Sequence, residues 1–248
     1  MQVLILAAGY GTRLYPLTKD TPKPLLPCHD RPIIDYLLDK VKDCADLSDI
    51  IVVTNDKFYG NFKAWAKNHK TLRKSIQVFN DKTTSPEDRL GAMGDIDFIL
   101  KKDIVREDLL VMGGDNLFDY ELDRYIGFAK QKNPSVTIGL YDIREAEQAK
   151  IFGVVQLDNK NKVISFEEKP KAPKSTLIAM CLYYIPRDSF HFVSQYLGES
   201  QKSDTTGDYI HWLMEYDTVY GFKFSGKWYD IGSIEAYKEA QMAFESSH

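Results

Sequence analysis

The sequence lacks the features that mark membrane-bound, secreted and nucleic-acid-binding proteins. No apolar run approaches the roughly 20 residues that a membrane-spanning helix needs, so no membrane association is expected. The formal net charge is −4, which argues against general binding to nucleic acid. The N-terminal residues have neither the basic region nor the cleavage site of a secretory signal.

Cysteine and histidine are also scarce. The three cysteines (Cys28, Cys44 and Cys181) are odd in number and far apart, so they indicate neither a disulfide framework nor a metal site. A reducing cytoplasm is therefore the expected location. The five histidines form no metal-binding pattern, which disfavours zinc. The sequence also shows no obvious Ser/His/Asp or Cys/His set.

The most informative stretch present is the N-terminal run, VLILAAGYGTRL followed by PLTKDTPKPLLP. Val3–Ala7 reads as a buried strand that ends in a loop containing Gly9 and Gly11. Backbone N–H groups in such a loop can hold phosphate oxygens, and Arg13 and Lys23 add positive charge. The spacing is neither a Walker loop nor a dinucleotide fingerprint, and taken alone the glycine pair is an ordinary strand–loop connection.

Apolar strands alternate with helical patterns through the first half of the chain, which predicts a parallel sheet covered by helices. The second half has shorter strands and a hairpin around 158–161, which predict a small lobe on that sheet. No repeat or linker composition interrupts the chain. The prediction is one α/β domain over residues 1–248, with a Rossmann-like, mixed and mainly parallel sheet.

Two carboxylates follow predicted strands. Asp115 comes after Gly113 and Gly114, and Asp230 comes after Trp228-Tyr229. Ligands collect at the carboxyl ends of parallel strands, and Mg²⁺ needs only one or two protein carboxylates when it also binds phosphates. A turn acid explains Asp115 equally well, and Asp230 has the alternative of an N-cap or turn acid, although Ser233 is the better cap candidate. The sequence does not show that the two aspartates meet.

Several motifs together resemble the nucleoside-diphosphate-sugar pyrophosphorylases, and the glucose-1-phosphate thymidylyltransferase type in particular. LAAGYGTRL and PKPLLP are similar to the family's triphosphate loop. GGDN and WYDIG are similar to its two metal-binding motifs, while FGVV and EEKP are similar to its sugar-binding segments. The resemblance implies the nucleotide-diphospho-sugar transferase fold, with residues 1–135 mainly binding nucleotide and 136–248 mainly binding sugar phosphate.

The resemblance also implies roles for individual residues. Catalytic roles fall to Arg13, Lys23 and Lys169, and the metal ligands for Mg²⁺ are Asp115 and Asp230. The implied nucleotide-binding residues are Leu6, Ala8, Gly9, Gly11, Thr12, Arg13, Gly91 and Asp115. The implied sugar-phosphate-binding residues are Gly153, Glu168, Lys169 and Tyr183.

The expected reaction joins a sugar 1-phosphate to a nucleoside triphosphate and releases pyrophosphate. Glucose 1-phosphate and dTTP or UTP are favoured. Because 81–94 lacks the glutamine common in the family's base-reading segment, the base stays open. The alternatives are cytidylyl or guanylyl transfer to another phosphorylated sugar or alcohol, or a non-catalytic sensor of nucleotide sugars. The chain ends soon after the helix that follows Asp230, so no further domain is expected. A homo-oligomer is left open.

Overall fold

The computed structural model describes residues 1–69, 74–199 and 205–245. The strands are, in chain order, β1 (Gln2–Leu6), β2 (Pro27–Cys28), β3 (Arg31–Pro32), β4 (Ile50–Thr54), β5 (Ile76–Asn80), β6 (Leu109–Gly113), β7 (Asn116–Phe118), β8 (Thr137–Asp142), β9 (Gly153–Leu157), β10 (Val163–Glu168), β11 (Leu177–Ile185), β12 (Tyr220–Phe224) and β13 (Trp228–Asp230). The helices are α1 (Ile33–Lys42), α2 (Asp56–Asn68), α3 (Gly91–Leu100), α4 (Asp123–Lys132), α5 (Ala146–Ala149), α6 (Phe190–Glu199), α7 (Thr206–Leu213) and α8 (Ile234–Glu245). Short 3-10 turns cover Thr12–Leu14, Lys23–Leu25 and Arg187–Ser189.

The elements predicted from apolar periodicity are present. β4 has the predicted bounds, and all five of its residues are buried, as expected for a β-branched run in a sheet interior. The apolar pattern predicts a helix near Asp95–Lys101. Helix α3 begins four residues earlier, at Gly91, because Gly91 and Gly94 lie within it and do not break it. The short strand β7 was not predicted, since the preceding Gly-Gly-Asp-Asn has turn composition.

The described residues group into two compact units whose segments alternate along the chain. The first unit contains Met1–Gly91, Met112–Leu122 and the residues from Gly226 onward. The second contains Ala92–Val111 and Asp123–Ser225. The single-domain organisation, with halves divided at residue 135, stays a prediction.

In the first unit, β4 is the middle of three parallel strands and pairs with β1 and β5. The strands β7 and β13 form a separate antiparallel pair, and β2 pairs with β3 in a tight hairpin. Helix α2 begins at an Asn55 cap, whose side-chain oxygen accepts a hydrogen bond from the Phe58 N–H at 3.0 Å. An apolar cluster packs the N-terminal arm against α1 and α8: Leu14, Leu26, Cys28, Ile33, Tyr36, Leu117, Ile231, Tyr237 and Ala240.

In the second unit, β8 pairs in parallel with β12 and antiparallel with β11. The predicted hairpin is formed by β9 and β10, and β9 also pairs with β11. Helix α7 begins at a Thr205 cap that accepts a hydrogen bond from the Asp208 N–H at 3.1 Å. Within the ranges that the structure describes, no helix is long and apolar enough to cross a membrane.

Candidate active site

The glycine loop after β1 is braced by the end of β4. The Thr54 hydroxyl donates a hydrogen bond to the Ala7 carbonyl at 3.1 Å, and the Asn55 amide donates one to the Ala8 carbonyl at 2.9 Å. Both bracing side chains are fully buried. The carbonyls at the start of the loop are therefore held on the side of β4, which favours exposure of N–H groups on the other side.

Gly11 fixes the bend in this loop. Its φ is +64°, in the left-handed region that favours glycine, and its carbonyl accepts a hydrogen bond from the Thr18 hydroxyl at 2.7 Å. A Cβ at Gly11 would lie 3.1 Å from the Thr18 side chain. By contrast, a Cβ at Gly9 would meet no protein atom within 4 Å. The loop thus needs Gly11 for its own shape, whereas the space beside Gly9 is open.

A cavity of about 340 Å³ lies beside the loop, within the first unit. Seven of the predicted residues line it: Leu6, Gly9, Gly11, Thr12, Arg13, Lys23 and Asp115. Of the other predicted residues in this unit, all of which the structure describes, Ala8, Gly91 and Asp230 lie outside the lining. Tyr10, Pro86, Arg89 and Gly232 also line the cavity and were not predicted. No local motif in the sequence marks Arg89, because it belongs to the segment that matches the family least.

Lys23 and Asp115 form an ion pair at this cavity. The Lys23 Nζ lies 2.5 Å from Oδ2 of Asp115, and their side chains are 19% and 26% exposed. Burial would raise the pKa of Asp115, but the Lys23 ammonium holds that pKa below its ordinary value. Burial would likewise lower the pKa of Lys23, and Asp115 raises it above its ordinary value. Both groups are therefore charged at neutral pH.

The pairing of β13 with β7 brings Asp230 close to Asp115. The register partner of Asp230 is Asn116, and the N–H of the next residue, Ile231, donates a hydrogen bond to the Asp115 carbonyl at 3.2 Å. Burial, reinforced by the negative charge of Asp115, raises the pKa of Asp230 to about 6, although Lys23 and Arg13 act in the opposite direction. The structure therefore brings the two predicted metal ligands together around one lysine.

This arrangement fits a divalent cation. Two half-buried carboxylates lie near one ammonium group, which forms an ion pair with Asp115, so among the described contacts the negative charge of Asp230 has no such partner. A cation would supply that partner. Among residues 1–69, 74–199 and 205–245 there is no group of three or more His, Cys, Asp or Glu side chains that could hold a metal ion.

The segment between β5 and α3 forms a turn closed by Asp88. The carboxylate of Asp88 accepts hydrogen bonds from the backbone N–H groups of Thr84 and Ser85, at 3.0 Å and 2.8 Å. The hydrogen bonds hold the pKa of Asp88 below its ordinary value. Gly91 ends the segment with φ +75°. A role for Gly91 in base or ribose contact stays a prediction.

The second unit brings together the predicted sugar-phosphate residues around Glu168. Gly153 is the register partner of Glu168, and a Cβ there would lie 3.1 Å from the Glu168 carboxylate. A Cβ at Gly207, on the first turn of α7, would lie 2.2 Å from the same carboxylate. Glu168 is thus enclosed by two glycines. Sequence reasoning missed Gly207, although Thr205 and Asp208 form a capping pattern that marks the start of this helix.

Tyr183 and Lys169 flank this carboxylate. The Tyr183 hydroxyl donates a hydrogen bond to the Thr206 hydroxyl at 2.8 Å, and burial raises its pKa far above the physiological range, so it stays neutral. The Lys169 Nζ lies 3.2 Å from Glu168 and its side chain is 60% exposed. Pro170 predicts that the strand ends at Lys169. Strand β10 ends one residue earlier, at Glu168, and Lys169 adopts a left-handed φ of +46°.

Residues 2–247 match the Nucleotidyl transferase family. The chain belongs to this family. The family predicted from the glycine loop and the two aspartate motifs is thereby confirmed.

Individual relatives agree with this membership. The chain is 30% identical to the bifunctional protein GlmU of Methanocaldococcus jannaschii over 233 residues, which are 94% of this chain and 51% of that protein. It is 30% identical over 237 residues to the bifunctional protein GlmU of Methanococcus aeolicus, with the same shares covered. The chain spans about half the length of these two relatives.

Solved structures have the same fold. A Bacillus anthracis protein described as a glucose-1-phosphate thymidylyltransferase, in complex with sucrose, matches with a TM-score of 0.80 and 25% identity, over 99% of this chain and 96% of that one. A UDP-glucose pyrophosphorylase complexed with UDP-glucose matches with a TM-score of 0.82 and 23% identity, over 100% and 99% of the two chains. The predicted fold class, a mixed and mainly parallel sheet flanked by helices, is confirmed.

Proposed function

We propose that this protein transfers a nucleotidyl group from a nucleoside triphosphate to a sugar 1-phosphate. A phosphate oxygen of the sugar 1-phosphate forms a bond to the α-phosphorus. The bond from that phosphorus to the bridging oxygen breaks, and pyrophosphate leaves with the electron pair. The products are a nucleoside-diphosphate sugar and pyrophosphate. Because the nucleophile is already an anion at neutral pH, the reaction needs no general base.

The observation that carries the proposal is the Lys23–Asp115 ion pair at a cavity beside the glycine loop, with Asp230 near enough to interact electrostatically with both groups. These two aspartates would hold Mg²⁺, which supplies positive charge against the triphosphate when bound. Arg13 lines the same cavity and would oppose the charge that develops on the leaving pyrophosphate. Lys23 would position a phosphate once the cation takes over its pairing with Asp115.

The second unit would bind the sugar phosphate. Glu168 can accept hydrogen bonds from sugar hydroxyls, since its side chain is 26% exposed. Tyr183 contributes a neutral hydroxyl nearby. Lys169 is exposed enough to reach a phosphate beyond its contact with Glu168. Lys169 would thus complete the catalytic set with Arg13 and Lys23.

Glucose 1-phosphate with dTTP or UTP is the favoured substrate pair. The EEKP and FGVV motifs favour a sugar phosphate, and the likeness to a protein described as a glucose-1-phosphate thymidylyltransferase favours this pair. The setting would be the cytoplasm, since the cysteines form no disulfide framework.

A substrate panel tests the proposal. Pyrophosphate release is measured with dTTP, UTP, CTP or GTP, each combined with glucose 1-phosphate, mannose 1-phosphate or phosphocholine, with Mg²⁺ and with EDTA. We expect release only with a sugar phosphate and Mg²⁺, and the highest rate with glucose 1-phosphate and dTTP or UTP. A preference for CTP or GTP would replace the base assignment. No release from any pair would favour a sensor of nucleotide sugars instead.

A further inference from the structure

A buried hydrogen-bond chain connects Trp228 to the carboxylate of Asp115. The Trp228 indole N–H donates to Oδ1 of Asn116 at 2.8 Å, and the Asn116 amide donates to Oδ1 of Asp115 at 3.1 Å. Trp228 and Asn116 are 9% and 4% exposed. These three residues lie within the first unit, at the small sheet that β7 forms with β13.

The donor at the start of this chain determines the orientation of the amide. An indole N–H can only donate, so the oxygen of Asn116 must face Trp228. The amide nitrogen must then face Asp115. If the indole N–H were absent, the Asn116 amide could turn over and present its oxygen to the carboxylate, which would repel it.

Each carboxylate oxygen of Asp115 therefore has its own donor. Oδ1 accepts from Asn116, and Oδ2 accepts from Lys23. The two donors differ in kind, because Lys23 is a flexible cation that competes with any metal ion for the same charge. Asn116 is neutral and its amide is fixed by the hydrogen bond from Trp228, so it can keep Asp115 in place while the cation binds.

We propose that Trp228 and Asn116 are positioning residues that hold the Asp115 carboxylate in the orientation that binds a divalent cation. The proposal rests on the proposed function, in which Asp115 is a metal ligand. Side chains that orient metal ligands typically affect metal affinity or activity by 10- to 100-fold when they are replaced. The effect expected here is therefore on cation affinity more than on the chemical step.

The test compares Trp228→Phe with Trp65→Phe. The first keeps an aromatic ring and removes the indole N–H that Asn116 needs, together with part of the ring volume; the second makes the same change in size elsewhere. The second removes a buried indole N–H of the same unit, which donates to Asp35 at 2.8 Å. Mn²⁺ binding without substrates is measured by electron paramagnetic resonance. We expect the Mn²⁺ dissociation constant to rise about 10-fold in Trp228→Phe and to be unchanged in Trp65→Phe.

Two further readouts separate positioning from general damage. Asn116→Leu should weaken Mn²⁺ binding as much as Trp228→Phe does. The double variant should bind Mn²⁺ no more weakly than the weaker-binding single variant, because both substitutions break the same hydrogen-bond chain. The Mg²⁺ concentration for half-maximal pyrophosphate release should rise about 10-fold in Trp228→Phe, with kcat at saturating Mg²⁺ within about threefold of the unmodified protein.

The proposal is overturned by unchanged Mn²⁺ affinity in Trp228→Phe, by an equal loss in Trp65→Phe, by additive losses in the double variant, or by no Mn²⁺ binding to the unmodified protein. Failure of the proposed function looks different. In that case the unmodified protein binds Mn²⁺ and responds to Trp228→Phe, yet releases no pyrophosphate from any substrate pair.

Discussion

At the scale of single residues, charge is unevenly balanced around the two aspartates. Lys23 pairs with Asp115, and the pKa of that carboxyl falls below its ordinary value. Asp230 has no such pairing among the contacts described, and its pKa rises to about 6. Without a cation, the charge of Asp115 therefore stabilises the fold and the charge of Asp230 destabilises it. This difference gives two predictions of opposite sign.

We predict that Asp230→Asn stabilises the metal-free protein at neutral pH. A carboxyl whose pKa is raised from 3.8 to about 6 binds its proton more tightly when folded, so wild-type stability falls as pH rises through that window. Asparagine does not ionise, so the variant lacks this loss, and its unfolding free energy at pH 7.5 should exceed that of the unmodified protein by about 3 kcal/mol. Urea unfolding in EDTA at pH 7.5 and at pH 4 measures the effect, which should nearly vanish at pH 4.

The exposed Asp30→Asn serves as the control for this comparison, with an unfolding free energy expected within about 0.5 kcal/mol of the unmodified protein. Equal or lower stability of Asp230→Asn at pH 7.5 would contradict the assigned electrostatics.

Asp115→Asn should have the opposite effect on stability. It leaves the half-buried Lys23 ammonium without its carboxylate, at a cost of about 1–3 kcal/mol in urea unfolding at pH 7.5. Both aspartate variants should nevertheless lower kcat by about 100-fold or more, because each removes one electrostatic group from the site. Near-normal turnover in either variant would remove that residue from the metal site.

At the scale of elements, the two glycines of the N-terminal loop have different roles: the fold needs Gly11, and a bound ligand would need Gly9. Gly11 has a left-handed φ and packs on Thr18, whereas a Cβ at Gly9 would point into open space. The same distinction holds in the second unit. A Cβ at Gly207 would overlap the Glu168 carboxylate, while Gly198 in α6 has open space around it.

Alanine at the two loop glycines should therefore give different results. Gly11→Ala should lower the unfolding free energy by about 1–2 kcal/mol, since alanine is strained at positive φ and meets Thr18. Gly9→Ala should change stability by less than about 0.5 kcal/mol and weaken triphosphate binding about 10-fold or more, because its methyl group would occupy the space beside the loop. Urea unfolding and calorimetric titration with dTTP measure the two effects. Full dTTP affinity in Gly9→Ala would place the triphosphate elsewhere.

Gly207→Ala should raise the KM for the sugar phosphate about 10-fold by displacing Glu168, and leave the KM for the triphosphate unchanged. Gly198→Ala is the matched control. It adds a methyl group in open space on a helix and should raise the unfolding free energy by about 0.4–1 kcal/mol without affecting either KM. Initial-rate kinetics with each substrate varied separately gives the result. A change in the triphosphate KM alone would contradict the role of Glu168.

Most elements could be predicted from sequence, and the exceptions have physical reasons. Buried, β-branched runs such as Ile50–Thr54 can be recognised as strands from their composition. Strand β7 cannot be recognised in this way, because three residues are too few to show a hydrophobic pattern. Its pairing with β13 also depends on residues more than 100 positions away. That pairing is what brings Asp230 to Asp115.

At the scale of the whole molecule, the predicted nucleotide residues fall in the first unit and the predicted sugar-phosphate residues in the second. The motifs implied, through family resemblance, a division into halves at residue 135, which is not the boundary between these units. They could not supply the partners that give each residue its chemistry. The Lys23–Asp115 pair, the Glu168–Gly207 approach and the Trp228–Asn116 hydrogen bond each join segments that no local pattern connects.

The division predicts that each unit governs the affinity for one substrate. Arg13→Ala should weaken binding of an α,β-methylene analogue of the triphosphate about 10-fold and leave glucose 1-phosphate binding unchanged. Lys169→Met should show the reverse pattern, since Lys169 belongs to the second unit. Calorimetric titration of each variant with each ligand alone measures the four affinities. Equal loss of both ligands in either variant would contradict the assignment of substrates to units.

The central claim is that the protein joins a sugar 1-phosphate to the α-phosphorus of a nucleoside triphosphate. Phosphorus NMR of the unmodified protein with Mg²⁺, glucose 1-phosphate and either dTTP or UTP tests it most directly. We predict loss of the β- and γ-phosphate signals of the triphosphate, with equal appearance of pyrophosphate and of a sugar-linked diphosphate, only when both substrates are present. Formation of nucleoside diphosphate and inorganic phosphate, or no reaction with any of the four triphosphates, would contradict the claim.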